Sequence, residues 1–179
     1  MTRRGRQAQG FALIDLIFVC GLIGLLCGIA LPRLLLAKQA AGAASAIGSM
    51  RAINSAELTY ALTCGSGFYA PNLTTLGTPP AGSQEAFIAP GLGTADVVQK
   101  SGYSIRLAAT AFAGAPATCN GLAAGAAGQG FRAAADSQEP TNVRYFATNA
   151  SALIFENVSS LFAAMPEVGP PAAGHPLTH

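Results

Sequence analysis

Asp15 is the residue whose placement packing alone explains least. It lies in a run, residues 11–36, that is otherwise apolar apart from the Pro32-Arg33 pair and small residues. A carboxylate at membrane depth costs about 2.5–3.5 kcal/mol at the bilayer centre and less near an interface, so Asp15 calls for a cationic partner. Four cysteines form the second chemical set. Cys20 and Cys27 fall inside the apolar run, about 10 Å apart along a helix axis, too far to pair within one chain. They read as small apolar packing residues. Cys64 and Cys119 lie beyond it. The other acids, Glu57, Glu85, Asp96, Asp136, Glu139, Glu156 and Glu167, are scattered singly and read as solvated surface groups. There is no nucleophile elbow, HExxH, P-loop or CxxC pair, and the two histidines, His175 and His179, fall in the tail. Residues 121–130 (GLAAGAAGQG) lack the preceding strand that a phosphate-binding loop requires. We therefore expect no enzyme, no cofactor and no metal site.

The elements that carry these residues begin with the apolar run itself. It exceeds the roughly 20 residues that cross a bilayer as a helix. It is also longer than the core of an ordinary secretory signal, about 7–15 residues. Arg3, Arg4 and Arg6 precede it with no acid among the first ten positions. The positive-inside bias then holds the N-terminus in the cytoplasm and sends the rest of the chain across. Setting those three arginines aside leaves seven basic against eight acidic residues, so no basic face for nucleic acid is expected. Within the run, Gly21, Gly24, Gly28 and Pro32 weaken helix, each glycine by about 1 kcal/mol and proline by about 3 relative to alanine. Pro32 lacks the N–H that would bond the Gly28 carbonyl, so a kink or local melting is expected there. Gly24 and Gly28 also match a close helix-packing pattern.

Residues 37–63 continue as alanine-rich helix. Ile47, Met50, Ile53, Leu58, Ala61 and Leu62 give an apolar stripe, with Ser45, Ser49, Arg51, Asn54, Ser55 and Glu57 on the polar side. A helix of about 50 residues is far beyond the globular mean of about 11–12. Residues 64–101, punctuated by Pro71, Pro79, Pro80 and Pro90, read as a long connecting loop with at most a helical turn at 83–89. Strand-like segments follow at 102–112, 130–135, 143–148 and 152–158. Tyr103, Ile105 and Leu107 alternate with Arg106, and short turns between segments make an antiparallel meander over 102–165 the economical topology. Residues 166–179, with four prolines, read as a flexible tail without packing partners. The fold class expected is α+β, a long N-terminal helix laid on a small antiparallel sheet.

The segment Gly10-Phe11-Ala12-Leu13-Ile14-Asp15-Leu16-Ile17, preceded by arginines and followed by an apolar helix with Pro32, resembles the prepilin N-terminus of type IV pilins and type II secretion pseudopilins. The resemblance implies a leader, residues 1–10, cut after Gly10 by a prepilin peptidase, and N-methylation of Phe11. It further implies a single-pass inner-membrane precursor with a transmembrane or filament-core segment at 11–36. An assembly ATPase and a platform protein would draw it into a helical homopolymer, extracellular or periplasmic. Ala12 stands where the family commonly has threonine, and Asp15 where it usually has glutamate. Asp15 lies one helical turn from the new Phe11 amine, and can neutralise it within the chain or from a neighbouring copy. Residues 50–69 and 144–156 are also similar, less specifically, to pilin-like proteins. Export places Cys64 and Cys119 in an oxidising compartment. A bridge between them would add about 4 kcal/mol, the alternative being two free thiols. The resemblance leaves a pilus subunit, a secretion pseudopilin and a non-polymerising membrane-anchored binding domain as readings.

Overall fold

The computed structural model describes residues 9–177, with side chains from Leu13 onward. Residues 1–8 of the expected leader therefore lie outside the described residues. The chain divides into two compact units, Met1–Ala40 and Ala41–His179. Helix α1 (Gln9–Thr63) contributes to both.

In the first unit every side chain from Leu13 to Lys38 is exposed. Leu and Ile fill half of the positions, on all sides of this part of α1, so no single face is apolar in the way that a soluble amphipathic helix requires. The helix is long and apolar enough to cross a membrane. It stays helical through Gly28 and Pro32.

The second unit is built on residues 41–63 of α1. After it come two single-turn helices, α2 (Leu73–Leu76) and α3 (Pro90–Gly93). Six strands follow: β1 (Val97–Lys100), β2 (Tyr103–Ala108), β3 (Arg132–Ser137), β4 (Tyr145–Asn149), β5 (Ile154–Asn157) and β6 (His175–Pro176). They form one antiparallel sheet in strict sequence order. The helix lays Ala43, Ala46, Met50, Ile53 and Tyr60 on the sheet face that carries Tyr103, Ile105, Leu107, Ala133, Ala135 and Phe146. Alternation along β2 directs Tyr103, Ile105 and Leu107 inward and leaves Ser104, Arg106 and Ala108 half-buried on the other side. The small residues of α1 set the spacing: a Cβ on Gly42 would stand 2.7 Å from the Ser101 carbonyl oxygen. The α+β architecture expected from the sequence, a long helix on an antiparallel meander, is the architecture found.

Four local expectations are corrected. First, β1 lies inside the segment read as loop. Ser101 and Gly102 both have positive φ and close a two-residue hairpin that pairs Lys100 with Tyr103, the turn geometry that matches strand twist. Second, residues 83–89 form no helix; the turn of helix is α3, begun by Pro90 in its first turn, where the missing N–H is not needed. Third, Leu58 and Leu62 are exposed, while Ser49 and Glu57 are buried, so the buried stripe of α1 runs through Met50, Ile53, Glu57 and Tyr60, toward Cys64 just past its end.

The fourth correction concerns the tail. The outward sheet face carries Ala134, Ala147 and Phe155, too apolar to be left in water, and Leu161 and Met165 cover it. Phe162 adds to this cover: the Arg106 guanidinium sits 4.2 Å from its ring centroid and that of Arg132 5.5 Å. Arg106 is held by an ion pair with Asp136. Beyond that, the Glu167 carboxylate accepts hydrogen bonds from the Thr110 amide at 2.7 Å and its hydroxyl at 2.6 Å. β6 then pairs with β5, and the Leu177 amide donates to the Ile154 carbonyl. Composition alone suggested that residues 166–179 have no partners; what ties the tail down is hydrogen bonding, from Asn149 to the Pro166 carbonyl, from Thr110 to Glu167, and between β5 and β6.

Leu161 is 1% exposed. Leu161→Ala is expected to destabilise the second unit by about 2–4 kcal/mol through lost burial and a residual cavity. Denaturant titration of the detergent-solubilised chain, followed by tyrosine emission, measures this cleanly. There is no tryptophan, and all four tyrosines lie in the second unit.

Candidate functional site

Two places in the molecule hold the residues that the sequence singles out. The first is the start of α1. Gly10 and Phe11 fall within the helix. Asp15 is exposed, and no described residue pairs with it or hydrogen-bonds to it. Its surroundings are apolar side chains: Ile14 is 71% exposed, Leu16 64% and Phe18 68%. Such a density of bare aliphatic surface around one carboxylate is unusual outside a membrane or an interface. A Cβ placed on Gly21, Gly24 or Gly28 would meet nothing within 4 Å, so these glycines relieve no crowding within the chain. Cys20 and Cys27 are free and exposed on the same segment.

The second place is the end of α1, where Cys64 and Cys119 form a disulfide with their Cα atoms 4.9 Å apart. The bond joins the end of α1 to the β2–β3 loop. Other contacts converge there. The Cys119 carbonyl accepts from the Ala81 amide at 3.3 Å. The Asn120 side-chain amide donates to the Thr75 carbonyl at 2.8 Å and the Thr78 carbonyl at 3.2 Å. Asn72 caps α2, its side chain accepting from the Thr75 amide at 2.9 Å. The sequence separation of 55 residues makes the loop long enough for the bond to contribute about 4 kcal/mol by restricting the unfolded chain.

One further residue of consequence was misjudged in the sequence. Glu57, expected on the solvated side, is fully buried. Its Oε2 accepts from the Ala70 amide at 2.9 Å, while Oε1 has no hydrogen-bond partner. Burial away from water raises its pKa from 4.5 to about 8, against the smaller lowering effect of the Ala70 bond. The Tyr60 hydroxyl, one turn on, faces Thr118 without closing a well-formed hydrogen bond. Burial, with the Glu57 charge adding to it, raises the Tyr60 pKa as well. The signal that could have found Glu57 is its register with Met50, Ile53, Tyr60 and Cys64, all of which are buried. Elsewhere, Arg144, just before β4, and Glu156 on β5 make a two-pronged ion pair at 2.5 and 3.1 Å, and that bond lowers the Glu156 pKa.

An open groove of about 560 Å³ runs beside α2 and α3, with Pro79, Phe87, Ile88 and Pro90 in its wall and Glu85 as its one titratable side chain. Among the described residues no group of three or more His, Cys, Asp or Glu stands close enough to hold a metal. No family model, curated protein or solved structure matches the chain.

Two outcomes follow for the second unit. Because the Glu57 pKa is raised in the fold, the folded chain binds a proton that the unfolded chain releases between pH 4.5 and about 8. The stability tied to this group is fully present below pH 4.5 and falls as pH rises toward 8, by up to about 1.4 kcal/mol per pH unit. Glu57→Gln keeps an acceptor for the Ala70 amide and is expected to flatten this slope in denaturant titrations at pH 5 and pH 8.5. Removing both cysteines of the bridge, Cys64→Ala with Cys119→Ala, is expected to lower unfolding free energy by about 2–4 kcal/mol in the same assay.

Proposed function

We propose that this chain is a filament subunit of the type IV pilin kind, made as a membrane-anchored precursor, cut after Gly10 and polymerised through α1. The observation that carries the reading is the apolar first unit with one carboxylate in it. Asp15 stands four residues after the Phe11 that cleavage would make the N-terminus, on a stretch of α1, residues 13–38, whose large aliphatic side chains are all exposed. Three features that are separately common support one another here: the arginine leader, the Gly10-Phe11 junction and the intramembrane acid. A non-polymerising anchor gains nothing from Asp15, whose cost in lipid is offset only by a partner charge.

In this reading the bilayer holds the precursor as a reservoir, and cleavage creates the Phe11 amine. The Asp15 carboxylate accepts from that amine, in its own chain or a neighbouring one, and so guides each subunit into place. Dispersion and burial among Ile14, Leu16, Ile17, Val19, Leu22 and Leu25 then hold the core. The exported second unit, stapled by Cys64–Cys119, forms the outer surface. A pilus subunit is preferred to a secretion pseudopilin because the chain lacks an acidic, calcium-binding type of loop near its C-terminus, where Glu167 is the one acid after Glu156.

Intact mass and N-terminal sequencing of protein from cells, with electron microscopy of sheared surface material, test the proposal. A chain that begins at methylated Phe11 and is recovered in thin fibres is the expected result. A chain that keeps its arginine leader in cells with an active prepilin peptidase overturns the reading. Asp15→Ala is expected to lower fibre yield about tenfold or more by leaving the amine unpaired in an apolar core, while cleavage and the Cys64–Cys119 bond persist.

A further inference from the structure

The apolar run contains one acid, Asp15, and one base, Arg33. Both are exposed on α1, and neither has an ion-pair or hydrogen-bond partner among the described residues. They are separated by about five full turns, roughly 27 Å along the axis, and so fall on the same line of the helix surface. Between them that line is occupied by large aliphatic side chains: Leu22 is 49% exposed, Leu26 59% and Ile29 61%. They are too far apart to meet within one chain. Packing this face against anything apolar strands one negative and one positive charge, each of which costs several kcal/mol unpaired.

We propose that the occupant of this face is a second copy of the chain, parallel and displaced by about 27 Å, so that Asp15 of one copy meets Arg33 of the next. The inference rests on the filament reading above, which supplies the common orientation, and adds to it a partner and an axial register. That single offset brings the two charged side chains of the run together: each copy then uses its Asp15 toward one neighbour and its Arg33 toward the other. Such a contact is heterologous, and repeated it propagates without closing. The guanidinium is also the cation suited to it, being weakly hydrated and able to bind a carboxylate with two parallel bonds. A carboxylate accepts on two oxygens, so contact with the Phe11 amine and with Arg33 can coexist. An antiparallel pair at zero offset would satisfy the same charges in a closed dimer; the common membrane orientation of all copies argues against it.

The test leaves both charges in place. In the full-length chain with Cys20→Ala and Cys27→Ala, Leu22→Cys is combined with Ala40→Cys, exposed residues at the same interval as Asp15 and Arg33. Mild oxidation of cells or of sheared fibres is expected to give a ladder of disulfide-linked multimers. The control pair, Leu22→Cys with Leu58→Cys, has twice the interval and is expected to give none. In parallel, Arg33→Asp is expected to cut fibre yield about tenfold or more, and Arg33→Lys, which keeps the positive charge and leaves Asp15 untouched, to retain most of it. Formation of the Cys64–Cys119 bond in each variant shows that the second unit has folded. Fibres from the parent chain without a 22–40 ladder, or a ladder from the control pair instead, overturn the register and leave the filament reading standing. Neither fibres nor ladder overturns both.

Discussion

The second unit depends on one contact, the seating of α1 residues 43–60 on the inner face of the meander. Met50, Ile53 and Tyr60 are fully buried there, against Tyr103, Ile105 and Phe146, which are equally so. Each of these side chains contributes about 1.5–3 kcal/mol when removed from water. The alanines between them contribute by their size, because Ala43 and Ala46 let the helix axis come close to the strands. The β1–β2 hairpin, the single-turn helices and the disulfide are all arranged around this seat. So is Glu57, which is carried into the interior because it occupies the same stripe as the residues that must be there.

Burial of a carboxyl with one oxygen unsatisfied is costly, and it says something about which demands the fold meets first. Segment 65–70 leaves α1 through a tight reversal. A Cβ on Gly65 would lie 2.2 Å from the Phe68 carbonyl oxygen, so only glycine allows the chain to fold back there. The reversal delivers the Ala70 amide to Glu57. One polar backbone group is thereby paired at the expense of a titratable side chain held neutral over much of the physiological range.

Some of this was legible in the sequence and some was not, for physical reasons. β2 to β5 could be read because short apolar runs bounded by turn residues mark strands, and in β2 clean alternation records a two-faced sheet directly. β1 could not, since four residues flanked by Asp96 and Ser101 hold too little periodicity to stand out from a loop. The order in residues 166–177 was hidden for a different reason: its partners, Thr110, Asn149 and strand β5, belong to other parts of the chain, and proline-rich composition says nothing about a surface waiting elsewhere. Glu57 was misjudged because residue type was weighed above register. The chemistry at the start of α1 is the reverse case. The lone acid in an apolar run is read directly from the order of residues, and the structure adds the exposure of its neighbours.

The Cys64–Cys119 bond also determines how the second unit would respond to a pull. A load carried down α1 arrives at Thr63, and from Cys64 it has two routes, the backbone and the bridge. The bridge is the shorter. Residues 65–118, between the two cysteines, are therefore bypassed and bear no tension while the bond is intact. Fully extended they would span roughly 180–200 Å, and that length is withheld from the stretched molecule. Rupture of the sheet can proceed only from residue 119 onward, where β3, β4 and β5 are loaded in turn. In oxidising surroundings the unit is thus a short tether; once reduced, it becomes a long one.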